Sequence, residues 1–331
     1  MTYRWLKPVQ IILFWLSALI AIGISACQPQ IAEMSVSLVP ACRLVDHIAG
    51  TTCVPDQIER LVTLDAVSFE NAIALDLKPI GTVDRQTSAL YTPDQLADIV
   101  DIGKSGEPNL ESIVALKPDL ILGLDYQQTL YEQASQIAPT VLVSFDHSGQ
   151  WKKTFEAYSQ VLGREAVGQQ VMADYQARSQ AFQQRLDTLS PSPVQASIVR
   201  IYPDSINLYF RESFPGVVLN DAGLARPEFQ DISAAAAQQR YQNPIQAAIS
   251  LESLAQADGD VLFVWTSENT AEANETAQKK LKDLQNDPLW QSLKVVQADN
   301  VHFVPSYWIG SGPIAANAIL DDLSKHLVED S

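Results

Sequence analysis

Arginine, tyrosine and tryptophan side chains stand near the ends of predicted strands in both halves of this 331-residue sequence. A guanidinium group binds a carboxylate through paired hydrogen bonds, and phenol and indole rings provide flat apolar walls with a polar edge. Ligands of parallel α/β proteins bind beyond the carboxyl ends of the strands, so these side chains are predicted to line a ligand cleft. The candidates are Asp65, Arg85, Tyr91, Arg200, Tyr202, Tyr209, Arg211, Arg226, Trp265, Tyr307 and Trp308.

These candidates also have a structural interpretation. A single arginine is often an ion-paired surface side chain, yet at least two of Arg85, Arg200, Arg211 and Arg226 are expected to line the cleft. Trp308 follows the last predicted strand directly and is predicted to be a ligand wall. Trp308 and Trp265 could instead fill the core, because large aromatic side chains are often buried.

One long helix is predicted over residues 164–189. Its apolar residues recur at intervals that place them on one face: Val167, Val171, Tyr175, Phe182, Leu186 and Leu189. Gly163 precedes the helix, and the proline-rich Ser190–Pro193 segment ends it. The helix has about seven turns and is ~39 Å long. It is therefore predicted to be a spine between the two halves of the chain.

Two segments on either side of this helix resemble each other, namely 109–123 and 250–264. Both read Leu-Glu-Ser, carry an aspartate eight residues after the glutamate, and end in a short apolar strand. Their glutamates, Glu111 and Glu252, are predicted to lie in the first turn of a helix. A carboxylate is favoured there by the helix dipole, which is a sufficient structural reason for it.

Strands alternate with helices in both halves, which favours parallel sheets. The predicted fold class is therefore α/β, with two similar lobes of mainly parallel sheets joined by a single long helix. The predicted boundaries are 41–150 for the N-terminal lobe, 151–190 for the linking helices and 191–331 for the C-terminal lobe. Residues 226–243 are polar and glutamine-rich, and a loop is expected there.

The N-terminus has the features of an export signal. Arg4 and Lys7 precede an apolar run that ends in the small residues before Cys27, so residues 1–26 are predicted to be a signal peptide. The junction resembles a bacterial lipobox, which implies lipidation of Cys27; an uncleaved membrane anchor is the alternative. Residues 27–40 are polar and are interpreted as a tether.

The charge and the cysteines agree with an exported binding protein. Removal of residues 1–26 would take away Arg4 and Lys7, so 39 acidic and 20 basic side chains would remain, a formal charge of −19. Such a chain repels nucleic-acid backbones, and nucleic acid is excluded as a partner. Cys42 and Cys53 flank a predicted hairpin turn and are expected to form a disulfide in an oxidising compartment.

Metal-binding and catalytic patterns are not found in the sequence. The histidines are dispersed and show none of the spacings of zinc sites; they are His47, His147, His302 and His326. There is no glycine-rich phosphate loop and no Gly-x-Ser-x-Gly nucleophile elbow. The chain is therefore not expected to be an enzyme, and a lipid-anchored hydrolase is a weak alternative.

Four blocks carry a family resemblance: GEPNLESIVALKPDLILG, YFRESFPGVVLNDAGLARP, SLESLAQADGDVLFVW and VPSYWIGSGPIAANAILDDL. Together they resemble the ferric-siderophore substrate-binding lipoproteins of ABC importers, of the iron-dicitrate or hydroxamate type. The similarity extends over about residues 40–328, and the blocks occur in family order. It implies two α/β lobes on a rigid helix, with the ligand held between them.

The resemblance also implies partners. The ligand would be a ferric siderophore whose iron is already chelated, so no cofactor or protein-bound metal is expected. Glu111 and Glu252 would each present a carboxylate to an ABC permease dimer. The protein would be a monomer on the extracytoplasmic face of the membrane, with small movements between its lobes. A cobalamin or haem carrier of the same fold is the leading alternative.

Overall fold

The computed structural model describes residues 41–85, 90–266 and 270–329. The predicted signal peptide, Cys27 and the tether lie outside the described residues. Ala41–Ser331 group into one compact unit. In the described part of the chain, no helix is both long and apolar enough to cross a bilayer.

The described chain begins with a hairpin of β1 (Cys42–His47) and β2 (Gly50–Pro55). A disulfide joins Cys42 to Cys53 across the two strands. The hairpin packs on the first lobe, because the hydroxyl of Thr52 donates to the backbone oxygen of Thr140 at 2.9 Å. The bridge therefore closes a hairpin that is anchored to the sheet beside it.

The N-terminal lobe contains a five-stranded parallel sheet in the order β5-β4-β3-β8-β9. Its elements are, in chain order, β3 (Leu61–Thr63), α1 (Ala66–Ala74), β4 (Gly81–Thr82), α2 (Pro93–Leu96), β5 (Val100–Asp101), β6 (Gly103–Lys104), β7 (Glu107–Pro108), α3 (Leu110–Leu116), β8 (Leu120–Leu124), α4 (Tyr131–Ile137) and β9 (Thr140–Val143). Strands β6 and β7 form a separate small hairpin, and a 3₁₀ helix, Asp125–Leu130, precedes α4.

Two helices connect the lobes, α5 (Trp151–Val161) and α6 (Glu165–Leu189). The 25-residue α6 contributes to both cores. Val167 and Val171 pack against the core of the N-terminal lobe, whereas Tyr175 and Phe182 lie in the core of the C-terminal lobe. The apolar stripe is shorter than predicted, because Leu189 is 52% exposed.

The C-terminal lobe has a mixed five-stranded sheet in the order β12-β11-β10-β13-β14. Its elements are, in chain order, β10 (Ala196–Ile201), β11 (Ile206–Tyr209), α7 (Phe214–Asp221), α8 (Ala234–Tyr241), β12 (Gln246–Ile249), β13 (Val261–Trp265), α9 (Ala271–Gln285), α10 (Pro288–Gln291), α11 (Lys294–Gln297), β14 (Val301–Phe303) and α12 (Pro313–Ser324). Strands β10, β13 and β14 are parallel, and β11 is antiparallel to both β10 and β12.

The predicted fold class is confirmed: two α/β lobes with mainly parallel sheets are joined by one long helix. The exact lobe boundaries stay a prediction. The expected loop at 226–243 is wrong in its second half, where Ser233 caps α8 by accepting the backbone N–H of Ala236. The second Leu-Glu-Ser segment forms a 3₁₀ helix, Leu251–Ala257, where an α-helix was expected.

Candidate functional site

A cavity of about 430 Å³ lies between the lobes at the carboxyl edge of the N-terminal sheet. Because β3, β8 and β9 are parallel, the residues that follow them meet at one edge. The C-terminal lobe contributes the segment before β12 and the turn before α12. The lining residues are Val67, Leu124, Tyr126, Phe145, Asp146, His147, Ser148, Asn243, Pro244, Ile245, Ile309 and Ser311.

The cavity is lined mainly by aliphatic and aromatic side chains, with a few polar groups among them. Partial burial lowers the pKa of His147, although Asp146 and Glu212 oppose the effect. Its Nδ1 is buried and has no hydrogen-bond partner among the described residues. Desolvation, followed by the charge of Asp65, raises the pKa of Tyr126 to about 12. At neutral pH the cavity therefore presents an uncharged imidazole and a protonated phenol to a ligand.

Three predicted ligand residues come together on neighbouring strands of the C-terminal sheet. The guanidinium of Arg200 lies 4.1 Å from the ring centre of Tyr202, and its Nη1 is 3.4 Å from the hydroxyl of Tyr209. The two tyrosine hydroxyls are 3.3 Å apart, and that of Tyr202 donates to Gln246 at 3.3 Å. Burial raises the pKa of Tyr209. Sequence reasoning missed Gln246 because it assigned no strand or helix to the segment that forms β12.

The N-terminal candidates contact their own lobe. Arg85 donates to the backbone oxygen of Leu96 at 2.9 Å, and Tyr91 packs edge-on against Phe69 with ring centres 5.2 Å apart. Asp65 is buried and accepts the backbone N–H of Ser68 at 2.7 Å. It is therefore the N-cap of α1, a structural role in place of the predicted cleft position.

Trp308 and Trp265 have almost no accessible surface, which contradicts their prediction as ligand walls. Trp308 is 0% exposed, stacks on Phe263 at 4.6 Å between ring centres, and donates its indole N–H to Asp322 at 2.8 Å. Trp265 is 2% exposed and packs against Tyr209. The core interpretation that the sequence left open holds for both rings.

The remaining candidates are tied to other side chains or to the backbone. Arg226 is buried and donates to the backbone oxygen of Tyr209 at 2.8 Å, and burial lowers its pKa to about 9. Arg211 pairs with Asp231 at 2.7 Å, and the hydroxyl of Tyr307 donates to Asp322 at 2.8 Å. Arg211 therefore matches the ion-paired interpretation of an arginine.

None of the eleven candidate cleft residues belongs to the described lining of the 430 Å³ cavity. Their contact with a ligand stays a prediction. The half-buried candidates are Arg85, Tyr91, Arg200, Tyr202, Arg211 and Tyr307. The rule that ligands bind beyond strand ends could have found the lining residues, because Tyr126 and His147 follow β8 and β9 within four residues. The sequence analysis preferred arginines as ligand contacts and therefore passed over Phe145 and His147, which line the cavity.

Glu111 and Glu252 are both exposed. Glu111 lies in the first turn of α3, and Glu252 lies in the first turn of the 3₁₀ helix Leu251–Ala257. Asn109 caps α3 by accepting the backbone N–H of Ser112 at 2.9 Å. A hydrogen bond from Ser250 lowers the pKa of Glu252. Both positions agree with stabilisation of a helix N-terminus by a carboxylate. Both carboxylates are also accessible to a partner, and docking stays a prediction.

In the described ranges, no three His, Cys, Asp or Glu side chains are grouped so that they could hold a metal ion. The fold does bring two of the dispersed histidines together. The rings of His302 and His326 stack with centres 4.1 Å apart, and His302 Nε2 lies 2.9 Å from Asn300 Oδ1. This contact joins β14 to the chain after α12.

Known proteins resemble the chain over most of its length. Residues 61–307 match the family model described as periplasmic binding protein. The probable siderophore-binding lipoprotein YfiY of Bacillus subtilis strain 168 is 32% identical over 295 residues, covering 87% of this chain and 88% of YfiY. The achromobactin-binding periplasmic protein of Dickeya dadantii strain 3937 is 30% identical over 309 residues, covering 89% of this chain and 94% of that protein.

A solved structure shows the same fold with a ligand. Staphylococcus aureus SirA complexed with staphyloferrin B is 27% identical and superimposes with a TM-score of 0.73. The alignment covers 86% of this chain and 98% of SirA. These similarities extend through both lobes and the helix between them.

Proposed function

Because the chain belongs to the periplasmic binding protein family, we propose that it captures a ferric siderophore between its lobes and delivers it to an ABC importer. The observation that carries the proposal is the inter-lobe cavity of about 430 Å³, lined by Tyr126, Phe145 and His147. A concave site with aromatic walls and a few polar groups is typical of small-molecule binding. The siderophore-binding relatives YfiY and SirA support the ligand class.

The partners follow from the same proposal. The protein acts at the extracytoplasmic face of the membrane, held there by a lipid on Cys27. Glu111 and Glu252 dock the two lobes on a permease dimer, which places one carboxylate on each half of the partner. The chain performs no catalysis and needs no cofactor of its own, because the iron arrives already chelated.

A haem carrier is the second candidate, and one observation favours it. Haem iron is commonly held by an axial histidine or tyrosine. The cavity contains both types, Tyr126 and His147, and the Nδ1 of His147 has no hydrogen-bond partner in the described part of the chain. The siderophore-binding relatives keep haem in second place.

Quenching of intrinsic tryptophan fluorescence by ferric staphyloferrin B, iron-loaded achromobactin, haem and cobalamin tests the proposal. We expect saturable quenching by one of the iron chelates. Tyr126→Ala and His147→Ala should each weaken that binding about tenfold or more, since both side chains line the cavity. Phe303→Ala is the matched control, because Phe303 is 52% exposed on edge strand β14 and Tyr126 is 55% exposed.

The outcomes separate the candidates. Binding of haem alone, with a Soret band that shifts in His147→Ala or Tyr126→Ala, would replace the siderophore with haem. Binding of cobalamin alone would keep the fold and change the ligand. No saturable response to any of the four compounds would refute the proposal.

A further inference from the structure

A buried carboxylate of the N-terminal lobe reaches the first turn of the last helix of the C-terminal lobe. Glu70, in α1, is 5% exposed, and its Oε1 accepts the backbone N–H of Ala315 in α12 at 2.7 Å. The backbone N–H groups of Ser311 and Ile314 also donate to this carboxylate. Glu70 and Ala315 are 245 residues apart in the chain, so only the tertiary structure creates the contact.

The start of α12 is built to accept a side chain from elsewhere. Its N-cap residue is Gly312, which has no side chain to bond to the free N–H groups of the first turn. A Cβ atom added to Gly312 would lie 2.6 Å from Cδ of Glu70, too close for the two to coexist without a shift. Gly312 therefore leaves α12 uncapped by its own lobe and makes room for Glu70.

The segment that Glu70 holds forms part of the cavity. Ile309 and Ser311 line the cavity, and Ser311 is one of the donors to the carboxylate. Farther along α12, Asn317 accepts a hydrogen bond from Arg178 of α6 at 2.7 Å. Glu70 thus lies where the first lobe, the cavity wall and the helix linked to α6 meet.

We propose that Glu70 is a clamp between the lobes: it holds the wall segment 309–311 against α1 and so sets the separation of the lobes around the cavity. Glu70 is a positioning residue in this proposal, since it acts on the cavity through the backbone of Ser311 and Ala315. The proposal goes beyond the proposed function and does not depend on which ligand the cavity binds.

The energetics indicate more than a local cap. Burial of a carboxylate is unfavourable unless hydrogen bonds compensate it. Desolvation raises the pKa of Glu70 to about 7, although the donors of Ala315, Ser311 and Ile314 oppose this rise. Serine at position 312 could cap α12 without a buried charge. A cap from within the C-terminal lobe would satisfy the same N–H groups, but only a glutamate from the N-terminal lobe also links the two lobes.

The test separates capping from clamping with a double variant. Glu70→Ala removes both functions, whereas Glu70→Ala with Gly312→Ser restores a cap that belongs to the same lobe. Hydrogen exchange of the amides of Ile314 and Ala315, the second and third residues of α12, measures the cap. Nitroxide labels on keto-bearing amino acids at Gln133 and Lys279, exposed positions in α4 and α9, measure the distance between the lobes in the full chain. Glu132→Ala is the control, since Glu132 is an exposed glutamate in the first turn of α4.

Glu70→Ala is expected to accelerate exchange at Ile314 and Ala315 about tenfold or more, because their hydrogen bonds to the carboxyl group are lost. The label distance should broaden or shift by about 2 Å or more. In the double variant, slow exchange should return while the broadened distance remains. Should Glu70→Ala fail to fold, Glu70→Gln takes its place, with the same broadening at smaller amplitude. An unchanged distance between the labels in the single Glu70 variant would overturn the proposed clamp. Recovery of the wild-type distance in the double variant would overturn it as well.

Discussion

The indole N–H of Trp308 donates to Oδ2 of Asp322 at 2.8 Å, although the two residues are 14 positions apart in the chain. The same oxygen accepts the hydroxyl of Tyr307 at 2.8 Å. Asp322 belongs to α12, the helix that Glu70 caps. Tyr307 and Trp308 therefore bind the C-terminal part of α12, whereas Glu70 binds its first turn.

Replacement of Trp308 or of its partner Asp322 should lower the stability of the protein. Trp308→Ala is expected to reduce the free energy of unfolding by about 3–5 kcal/mol, because it leaves a large cavity. Asp322→Ala should reduce it by about 1–3 kcal/mol, because the buried indole N–H loses its acceptor. Urea unfolding followed by circular dichroism measures both. A stable Trp308→Ala protein that no longer binds ligand would restore Trp308 as a ligand wall.

The buried carboxyl of Glu70 should make stability depend on pH. Its pKa is about 7 in the folded protein against 4.5 ordinarily, so folding takes up a proton there. The resulting stability is complete below pH 4.5 and is lost as pH rises through about 7. The stability of the wild type relative to Glu70→Gln should therefore fall by on the order of 2–3 kcal/mol over this interval.

Urea unfolding of both proteins between pH 4.5 and 7.5 measures this difference. Asp65, whose pKa is raised to about 6, contributes to both proteins and cancels. A difference that grows with pH would mean that the backbone donors at α12 outweigh desolvation. Glu59→Gln serves as the control, because Glu59 is exposed and should show no such trend.

Loss of Glu111 and Glu252, the two carboxylates proposed to dock on a permease, should impair delivery without affecting capture. We expect Glu111→Gln with Glu252→Gln to lower ligand uptake by cells about tenfold or more, because charge guides encounter and orientation on the permease. Ligand affinity in solution should stay unchanged, since both residues lie outside the cavity lining. Glu132→Gln is the matched control. Normal uptake in the double variant would leave Glu111 and Glu252 with a role in their helices alone.

Removal of the Cys42–Cys53 bridge should loosen the first hairpin. The double variant Cys42→Ala with Cys53→Ala is expected to lower the free energy of unfolding by about 2–3 kcal/mol, because the bridge restricts the unfolded chain. A reductant should have the same effect on the wild type and none on the variant. Mass spectrometry of unreduced protein that finds two free thiols would contradict the bridge.

The elements that depend on local pattern were predictable from the sequence. Residues 164–189 carry an apolar repeat of helical period, and the structure has a helix at 165–189. Segment 109–123 was predicted to end in a short apolar strand, and strand β8, Leu120–Leu124, lies there. The edge strand β12 escaped prediction, since Gln246–Ile249 is partly polar and gains its hydrogen bonds only beside β11.

The site depended on contacts that no local pattern records. Sequence reasoning chose Arg200, Tyr202 and Tyr209 for their chemistry, and the fold does bring them together. It also chose Trp308, which is buried in the fold. The sequence could not show this, because burial depends on which distant residues pack against a side chain.

The sequence alone determined the α/β lobes, the long helix between them and the family resemblance, since periodicity and short motifs are properties of neighbouring residues. Only the tertiary structure decided which strand-end residues face the cavity and which fill the core. It also revealed the hydrogen bond between Glu70 and Ala315. The two residues are 245 positions apart in the chain, so the bond forms only when the two lobes pack together.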